Sequence, residues 1–333
     1  MHLPLRRRAL APLTLGALAA PALPRHPLAQ APIILRAAHT NAVGEVQDEG
    51  LKVMDRRLRE ITGGRAGLQV FPNGQLGNEL PMVEGVALGT IDIAVPSHAA
   101  FANFVREFQL FDMPFLVKDY AHLARVAIGP VMPELAEASQ RRNFRLLSLY
   151  SSGIRHLMTR DPVASMAALR GRKVRVQQNP AHVAAWQAFG ANATPLAYGE
   201  LYGALQVGVV DGAEAAYTNY VGQKFFEVAK NWAPIGWLAL TAPVIMSERK
   251  FATLPADIKA AVQQAAEDSA VWERNLVVEG EAALHAQVVG HGVAIATPDR
   301  APFIAAARPL YDRFLTSEAD KRRLRIVQDS AGA

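Results

Sequence analysis

The chain has 333 residues, of which 50% are hydrophobic, with 35 lysines and arginines against 30 aspartates and glutamates and no cysteine. This length is enough for about two domains of ordinary size. Without cysteine the chain has no disulfide framework, no thiolate metal site and no cysteine nucleophile.

Residues 1–31 have the pattern of a secretory signal peptide. A basic start, Arg6-Arg7-Arg8, is followed by an apolar stretch, Ala9–Leu23, and by small residues at Ala29–Ala31 that suit a cleavage site. Prolines interrupt the apolar stretch, and it is too short to be a good membrane span. We therefore expect export to the periplasm rather than a membrane anchor.

The excess of positive charge belongs to this leader. It contains four arginines and no acidic residue, so the rest of the chain has 31 basic against 30 acidic side chains. A nearly neutral protein offers no basic face for nucleic acid or acidic membranes. We therefore predict no nucleic-acid partner.

The first part of the remaining chain alternates strands and helices. The predicted elements are strands at Ile33–Ala38, Leu68–Phe71 and Ile91–Val95 and helices at Asp48–Ile61 and Leu80–Leu88. This repeated order favours a largely parallel sheet. His39, Glu79 and Ser97 lie close to strand ends, where they would line one crevice of such a sheet. Each residue alone is more typical of a solvated loop or a helix cap.

A second unit of this kind spans residues 171–214. Its predicted elements are strands at Lys173–Gln177, Ala193–Ala197 and Val209-Val210 and helices at Ala181–Phe189 and Tyr198–Val207. Arg175 lies in the first of these strands, just before a loop. The strand pattern alone favours an exposed edge-strand arginine. The alternative is a planar guanidinium that holds a ligand carboxylate through two parallel bonds.

We place the first crossing between two domains at Ser151–Gly153, a stretch of small residues after a predicted strand at Phe144–Tyr150. The chain is expected to return to the first domain at Pro234–Met246. The pattern of Pro255–Val289 predicts a single helix about 50 Å long, which would lie across both domains. The remaining predictions are a strand at Gly292–Ala296, a helix at Ala301–Phe314 and a loose tail at Gln328–Ala333.

The sequence lacks the motifs of a cofactor site or a catalytic site. We find no Gly-rich phosphate loop, no G-x-S-x-G elbow and no His-Glu-x-x-His. His285 and His291 are spaced wrongly for a metal pair on one helix face. Ser97 and His98 are adjacent, and neighbours on an extended chain point apart. A secreted hydrolase that uses Ser97 or His39 is therefore the weaker alternative, and we predict no metal, no cofactor and no catalytic residue.

Six segments, in this order, resemble the extracytoplasmic solute-binding proteins of tripartite ATP-independent periplasmic (TRAP) transporters. They are VFPNGQLGNE (70–79), LGTIDIAV (88–95), FQLFDMPFLVKDY (108–120), LRGRKVRV (169–176), FGANATPLAYGELYGALQVGVVDGAE (189–214) and KFFEVAKNW (224–232). The resemblance runs from about Ile33 to Phe314. It is closest to the subgroup that binds uronates and related sugar acids.

The resemblance implies a two-lobed α/β fold like that of periplasmic binding proteins. Two mostly parallel sheets flanked by helices would be joined by a hinge, with the long helix spanning both lobes. Lobe I would comprise residues 32–152 and 241–280, and lobe II residues 153–240 and 281–328. Such a protein is a monomeric receptor, not an enzyme. It binds an organic acid between the lobes and delivers it to the small and large membrane permease subunits. Another monocarboxylate or dicarboxylate as ligand, or a sensor kinase as partner, are the alternatives.

The same resemblance implies which residues bind the solute. In that family the residue matching Arg175 clamps the substrate carboxylate, and the residue matching Arg155 adds a second contact. A carboxylate such as Glu79 suits sugar hydroxyls, because they donate to it. The other predicted contacts are His39, Ser97, Tyr198, Glu214 and Gln178.

One position departs from the family pattern. Many relatives have Glu-Asn where this chain has Glu214-Ala215, and in them the asparagine bonds the ligand carboxylate. Ala215 has no side-chain donor, so Tyr217 or Asn219 is the expected substitute.

The leader pattern makes a testable prediction. Protein recovered from the periplasm should lack residues 1–31, because a signal peptidase removes such segments on export. Mass spectrometry of the intact protein measures this directly, with the cytosolic precursor as the control. An uncleaved N-terminus on the periplasmic protein would contradict the assignment.

Overall fold

In the computed structural model, which describes residues 31–332, the strands form one mixed sheet that is flanked by helices. The predicted signal peptide lies outside the described residues apart from Ala31. Across residues 31–332, no helix has both the length and the apolar character needed to cross a bilayer. The strands are β1 (Ile33–Ala38), β2 (Ala66–Phe71), β3 (Ile93–Ala94), β4 (Phe144–Thr159), β5 (Lys173–Val176), β6 (Asn192–Pro195), β7 (Gly212–Ala215), β8 (Asn231–Ser247) and β9 (Ala294–Ile295). The helices are α1 (Val46–Thr62), α2 (Glu79–Leu88), α3 (His98–Phe101), α4 (Tyr120–Ala127), α5 (Met132–Gln140), α6 (Pro180–Ala188), α7 (Leu201–Gln206), α8 (Tyr217–Gly222), α9 (Glu248–Thr253), α10 (Ala256–Gly290), α11 (Ala301–Phe314) and α12 (Glu318–Asp329).

The sheet contains two groups of parallel strands. Its strand order is β2-β1-β3-β8-β4-β7-β5-β6, and β9 pairs with β8. β1 is parallel to β2 and β3, and β5 is parallel to β6 and β7. Between these groups, β8 and β4 run antiparallel to each other and to their outer neighbours. The α/β class is confirmed, and the predicted parallel sheets are two groups that β4 and β8 join into one hydrogen-bonded sheet.

The two joining strands are unusually long. β4 has 16 residues and β8 has 17, about three times the usual strand length. Their pairing register shifts between Ser151 and Ile154, where Gly153 has a φ of 79°. A Cβ on Gly153 would lie 2.6 Å from the Cβ of Ala216, so only glycine fits this bend. The predicted domain crossing at Ser151–Gly153 is therefore a bulge inside a continuous strand.

Helix α10 packs on both parallel groups. It has 35 residues and matches the predicted long helix to within one residue at each end. Ile258 near its start packs in the apolar cluster of β1 and β2, together with Leu51 of α1. Val288 near its end packs with Trp232 in the cluster beside β7. One rigid element therefore contacts both parts of the sheet, as its predicted length requires.

The strand predicted at Val209-Val210 is wrong. These residues form a turn after α7, and β7 begins at Gly212. The carboxylate of Asp211 stabilises this turn by accepting the backbone N–H of Lys173 at 2.7 Å. A Cβ on Gly212 would lie 2.6 Å from the carbonyl oxygen of Met158. This glycine does not end a strand but allows β7 to pair closely with β4.

The loose tail predicted from Gln328 is also wrong as far as Gly332. Helix α12 continues to Asp329, and a short 3-10 turn follows at Ser330–Gly332. Arg125 of α4 donates to the carbonyl of Ser330 at 2.6 Å, and His122 Nε2 lies 2.8 Å from the carbonyl oxygen of Val327. These partners are about 200 residues away in the chain, so a local pattern does not reveal them.

A buried polar cluster joins the two parallel groups behind the sheet edge. Asp112 Oδ1 lies 2.9 Å from His182 Nε2 and 3.1 Å from His98 Nε2, and Asp112 Oδ2 accepts the Asn179 amide at 2.9 Å. One aspartate and two histidines are also a donor set that zinc uses. However, the backbone N–H of Thr241 donates to His98 Nδ1 at 3.0 Å, which places the neutral ring's proton on Nε2, facing Asp112. His182 and Asn179 thus form hydrogen bonds with Asp112, whereas His98 Nε2 faces it at 3.1 Å without a hydrogen-bond partner among residues 31–332.

The cluster stabilises the fold in a pH-dependent way. Burial alone would raise the pKa of Asp112, but its contacts with His182 and His98 outweigh that effect and hold the pKa at about 2. Its folded-state pKa is thus below its unfolded value. The stabilisation is fully present above the ordinary aspartate pKa and is lost as the pH falls through about 2.

Asp112→Asn should therefore lower the free energy of unfolding at neutral pH by about 1–3 kcal/mol. If the amide oxygen faces the two histidines on the Oδ1 side, the new NH2 group meets the Asn179 amide, which is itself a donor. Urea unfolding from neutral pH down to about pH 3 measures the difference, which should shrink below about pH 4. The exposed Asp312 provides the control Asp312→Asn, which should change little. Equal stability of wild type and Asp112→Asn at neutral pH would contradict this role.

Candidate functional site

Polar side chains from both parallel groups line a narrow cavity at one edge of the sheet. The carboxyl ends of parallel strands meet at such an edge, which is where open α/β sheets bind ligands. The cavity has a solvent-accessible volume of about 20 Å³, which is room for one or two water molecules. The lining residues are Thr40, Asn41, Gln47, Glu79, Ser97, Ser152, Arg155, Arg175, Gln177, Tyr198, Asn219 and Leu240.

Arg175 is the most deeply buried cation of this lining. It is 1% exposed, because β5 lies between β7 and β6 and is not an edge strand. Its Nε and Nη2 donate to the carbonyl oxygen of Leu196 at 3.0 and 2.8 Å. Its Nη1 has no hydrogen-bond partner within the described residues and lies 3.7 Å from Glu214 Oε1. The exposed edge-strand interpretation of Arg175 is thus wrong, and a buried donor remains available.

Arg155 of β4 has its donors directed at protein groups. Its Nε donates to Glu214 Oε2 at 2.6 Å, and its Nη2 donates to the Glu214 carbonyl at 2.8 Å. Its Nη1 donates to Asn219 Oδ1. Arg155 lines the cavity, but its strongest contacts hold Glu214 and Asn219 in place.

Glu214 serves both arginines. It is 0% exposed and does not belong to the cavity lining. Burial alone would raise the pKa of Glu214, but the charge and hydrogen bond of Arg155, with a further contribution from Arg175, hold it below its usual range. In turn, burial lowers the pKa of Arg175 and the Glu214 charge opposes that change. Glu214 is therefore the shared counter-ion of the two guanidiniums.

Glu79 provides a carboxylate on the other parallel group. It begins α2, and its Oε1 accepts the backbone N–H of Ser97 at 2.6 Å. Its Oε2 accepts the Ser97 hydroxyl at 3.0 Å, while Ser97 Oγ accepts the N–H of Ala100 and caps α3. Glu79 and Ser97 thus form an oriented pair in the cavity lining, as the strand-end argument predicts.

Several predicted contacts lie elsewhere. His39 is fully buried, and its Nε2 lies 3.2 Å from Asp48 Oδ1 of α1, outside the cavity lining. Gln178 is exposed, whereas its neighbour Gln177 belongs to the lining, because successive side chains of an extended segment point in opposite directions. Tyr217 packs against Trp232, with ring centres 4.8 Å apart.

Of the two expected substitutes for an asparagine at position 215, only Asn219 lies in the lining. Ala215 is fully buried in β7, opposite His156 of β4. Asn219 comes from the first turns of α8 and accepts from Arg155. Asn219 therefore places a carboxamide in the lining, as expected from the departure at Ala215.

Sequence reasoning missed half of the lining. Asn41 and Gln177 follow β1 and β5, so the strand-end argument that selected Ser97 also applies to them. Gln47, Ser152 and Leu240 carry no such signal, because α1, the β4 bulge and β8 meet only in the folded chain. The missed residues are Thr40, Asn41, Gln47, Ser152, Gln177 and Leu240.

Three polar atoms of the lining are buried and lack a hydrogen-bond partner within residues 31–332. They are Arg175 Nη1, Gln177 Oε1 and the Tyr198 hydroxyl. Buried polar groups in native proteins are almost always paired. A donor, an acceptor and a hydroxyl without partners in one cavity therefore indicate a polar ligand with both hydrogen-bond acceptors and donors.

The comparisons with known proteins agree with this geometry. The family model for the bacterial extracellular solute-binding protein, family 7, matches residues 37–318. A solute-binding protein of Verminephrobacter eiseniae is 34% identical over 288 residues, which cover 86% of this chain and 86% of that protein. The C4-dicarboxylate-binding periplasmic protein DctP of Vibrio cholerae is 29% identical over 287 residues, which cover 85% of this chain and 86% of that protein.

A solved structure has the same fold. It is a TRAP periplasmic solute-binding protein of Xanthobacter autotrophicus Py2 with bound β-D-galacturonate. It is 30% identical to this chain, with a TM-score of 0.86 over 89% of this chain and 99% of that one. The match over most of the chain and the shared fold show that this chain belongs to the bacterial extracellular solute-binding proteins of family 7, which are solute receptors of TRAP transporters rather than enzymes.

Proposed function

We propose that this protein binds a sugar monocarboxylate, such as a hexuronate, in the cavity around Arg175. It acts as a monomer in the periplasm after removal of residues 1–31. It delivers the solute to the small and large membrane subunits of a TRAP transporter. The observation that carries the proposal is the unpaired, buried Nη1 of Arg175 beside a second cationic side chain.

The arginine side of the cavity suits one carboxylate. Arg155 and Arg175 share a single carboxylate, that of Glu214, so these three side chains carry one net positive charge. A carboxylate that leaves water needs charge and directed donors to offset its desolvation. Arg175 Nη1 supplies both, and the Leu196 carbonyl holds its guanidinium in position.

The opposite side of the cavity suits hydroxyl groups. The Glu79 carboxylate accepts hydrogen bonds there, and the unpaired Gln177 Oε1 is a further acceptor on the Arg175 side. Sugar hydroxyls donate to such groups. Tyr198 adds an aromatic face, with its ring centre 6.0 Å from the Arg175 guanidinium carbon. A polyhydroxy acid complements a site with a cation at one side and acceptors at the other.

The same geometry disfavours a dicarboxylate, the ligand class named for the Vibrio cholerae relative. A second carboxylate that lies across the cavity from Arg175 would face Glu79. Two negative charges that face each other in a water-poor cavity repel strongly. The relative with bound galacturonate therefore provides the better guide to the ligand class than the dicarboxylate-binding one.

Binding needs the two halves to move apart. The cavity has a solvent-accessible volume of only about 20 Å³. A sugar acid therefore enters only when the walls of the cavity separate. We propose that residues 32–152 and 241–280 form lobe I and residues 153–240 and 281–328 form lobe II. The bulge at Gly153 and the opposing region of β8 are then the hinge.

Arg175→Ala should weaken binding of D-glucuronate by about 2–5 kcal/mol, because the ligand carboxylate then lies in the cavity without its partner. Arg175→Lys should also weaken it, because an ammonium cannot bond both Leu196 and the ligand as the planar guanidinium does. Calorimetry with D-glucuronate and its neutral amide measures the effect. The amide should bind wild type weakly and respond little to either change.

Two controls accompany this comparison. Arg170→Ala removes an exposed arginine and should leave binding unchanged. Thermal unfolding without ligand checks that loss of the Leu196 contact has not unfolded the variants. If Arg175→Ala binds glucuronate within about threefold of wild type, or roughly 0.7 kcal/mol, the carboxylate is held elsewhere.

Glu79→Gln should lower the affinity for D-glucuronate about tenfold or more, since it replaces a charged acceptor of hydroxyl groups by a neutral amide. Affinity for L-malate should stay constant or rise, because the repulsion of a second carboxylate is removed. Calorimetry with both acids gives the selectivity ratio. Glu84→Gln, an exposed glutamate on the same helix, is the matched control. A wild type that prefers malate, or an unchanged ratio in Glu79→Gln, would overturn the sugar-acid assignment.

A further inference from the structure

Glu45 connects the two parts of the protein beside the ligand cavity, and it belongs to no predicted site. It precedes α1, and its side chain is buried although it is a charged residue, with 6% exposure. Its carboxylate accepts four hydrogen bonds. Two come from its own segment, the Asn41 amide and the Ala42 backbone N–H, both at 3.0 Å.

The other two hydrogen bonds come from the opposite part of the molecule. Asn219 Nδ2 of α8 donates to Glu45 Oε2 at 3.0 Å, and the Gln223 amide donates to Glu45 Oε1. Helix α1 packs in the apolar cluster of β1 and β2, whereas Tyr217 and Tyr220 of α8 pack in the cluster beside β7. Glu45 is therefore a polar bridge between the two clusters.

The bridge leads directly to the arginines. The Asn219 amide is held at both ends, since its Oδ1 accepts from Arg155 while its Nδ2 donates to Glu45. Arg155 in turn holds Glu214, whose other oxygen faces Arg175 Nη1. When Glu45 moves away, the Asn219 Nδ2 loses its acceptor. The Asn219 amide is then free to turn, and its Oδ1 no longer holds Arg155 in a fixed orientation.

From these contacts we infer that Glu45 is a closing latch. It is a positioning residue that forms its bonds to Asn219 and Gln223 only when the two lobes close, and that then holds Arg155 in its binding orientation. The inference rests on the proposed sugar-acid binding and explains how closure and affinity are coupled. Ligand that enters the open cavity brings the lobes together, and the latch slows its escape.

A glycine marks the place where the latch engages. A Cβ added to Gly222 of α8 would lie 2.7 Å from Cγ and 2.8 Å from the carboxyl carbon of Glu45. The Glu45 side chain cannot yield freely, because four hydrogen bonds fix its carboxylate. Gly222 has no positive φ that would itself exclude alanine. Gly222→Ala should therefore obstruct the closed state by size alone.

Two variants test the latch by different means. Glu45→Gln keeps the shape but replaces one carboxylate oxygen by an NH2 group. This group then faces either the Asn41 and Asn219 amides or the Ala42 N–H and the Gln223 amide, all of which are donors. Gly222→Ala keeps every hydrogen-bonding group and adds a methyl. The controls are Glu279→Gln, at an exposed position of α10, and Gly280→Ala, where a Cβ would meet nothing within 4 Å.

Binding of D-glucuronate is measured by calorimetry and stopped flow, closure by small-angle scattering, and stability by thermal unfolding without ligand. Burial raises the pKa of Glu45 to about 7 against the lowering effect of its hydrogen bonds, so the measurements are made near pH 8. Both variants should bind at least tenfold more weakly, mainly through faster dissociation, and show less compaction at saturating ligand. Their unfolding without ligand should match that of the controls.

Binding by both variants within about threefold of wild type would overturn the latch. So would an affinity loss that is matched by an equal loss of stability without ligand, because Glu45 would then be a structural residue of both states. A wild type that binds another organic acid but not glucuronate overturns the sugar-acid assignment instead. The same variants then test the latch with that acid.

Discussion

Arg155, Glu214 and Arg175 form a buried group of charges on which the rest of the site depends. Removing a guanidinium or a carboxylate from water costs several kcal/mol, and an unpaired partner left behind costs more. Glu214 offsets much of this cost for both arginines, with a 2.6 Å bond to Arg155 and a 3.7 Å separation from Arg175. The group carries one net positive charge before ligand binds. The solute carboxylate that we propose would balance this charge.

The fold places this group where the two groups of parallel strands meet. β4 carries Arg155 just after its bulge at Gly153, and β5 carries Arg175 from the neighbouring parallel group. Glu79 and Ser97 approach from the ends of α2 and β3 on the other side. β4, β8 and α10 run continuously through both parts. The site thus lies beside the few elements that connect the two groups of strands.

Polar contacts between the two parts have different roles according to their depth. The Asp112 cluster is fully buried with Trp237 and Phe111 around its histidines, so it is suited to remain closed. Glu45 lies nearer the cavity, and burial has raised its pKa to about 7. Burying the Glu45 carboxylate costs desolvation free energy, which its four hydrogen bonds offset. A contact whose desolvation cost and hydrogen bonds nearly cancel is suited to form and break. The Asp112 cluster is therefore suited to be a permanent contact, whereas Glu45 is suited to be the latch that we propose.

Much of this protein follows from the sequence alone. The period of the apolar residues predicts β1, α1, α10 and α11 closely, because each has a single buried face or a clear stop. The family motifs identify the receptor class, and the strand-end argument selects Glu79 and Ser97. Arg175 came from the family resemblance, since its local pattern favoured an exposed position.

Other features were decided only by tertiary structure. Which of Gln177 and Gln178 lines the cavity depends on the pleat of the chain beyond β5. The position of Glu214 outside the lining, as counter-ion of two arginines, depends on residues that are 59 and 39 positions away in the chain. The turn at Val209-Val210 and the start of β7 at Gly212 depend on how closely β4 passes. Local propensity sets which segments can form strands and helices, but long-range packing and charge pairing decide which side chains share one cavity.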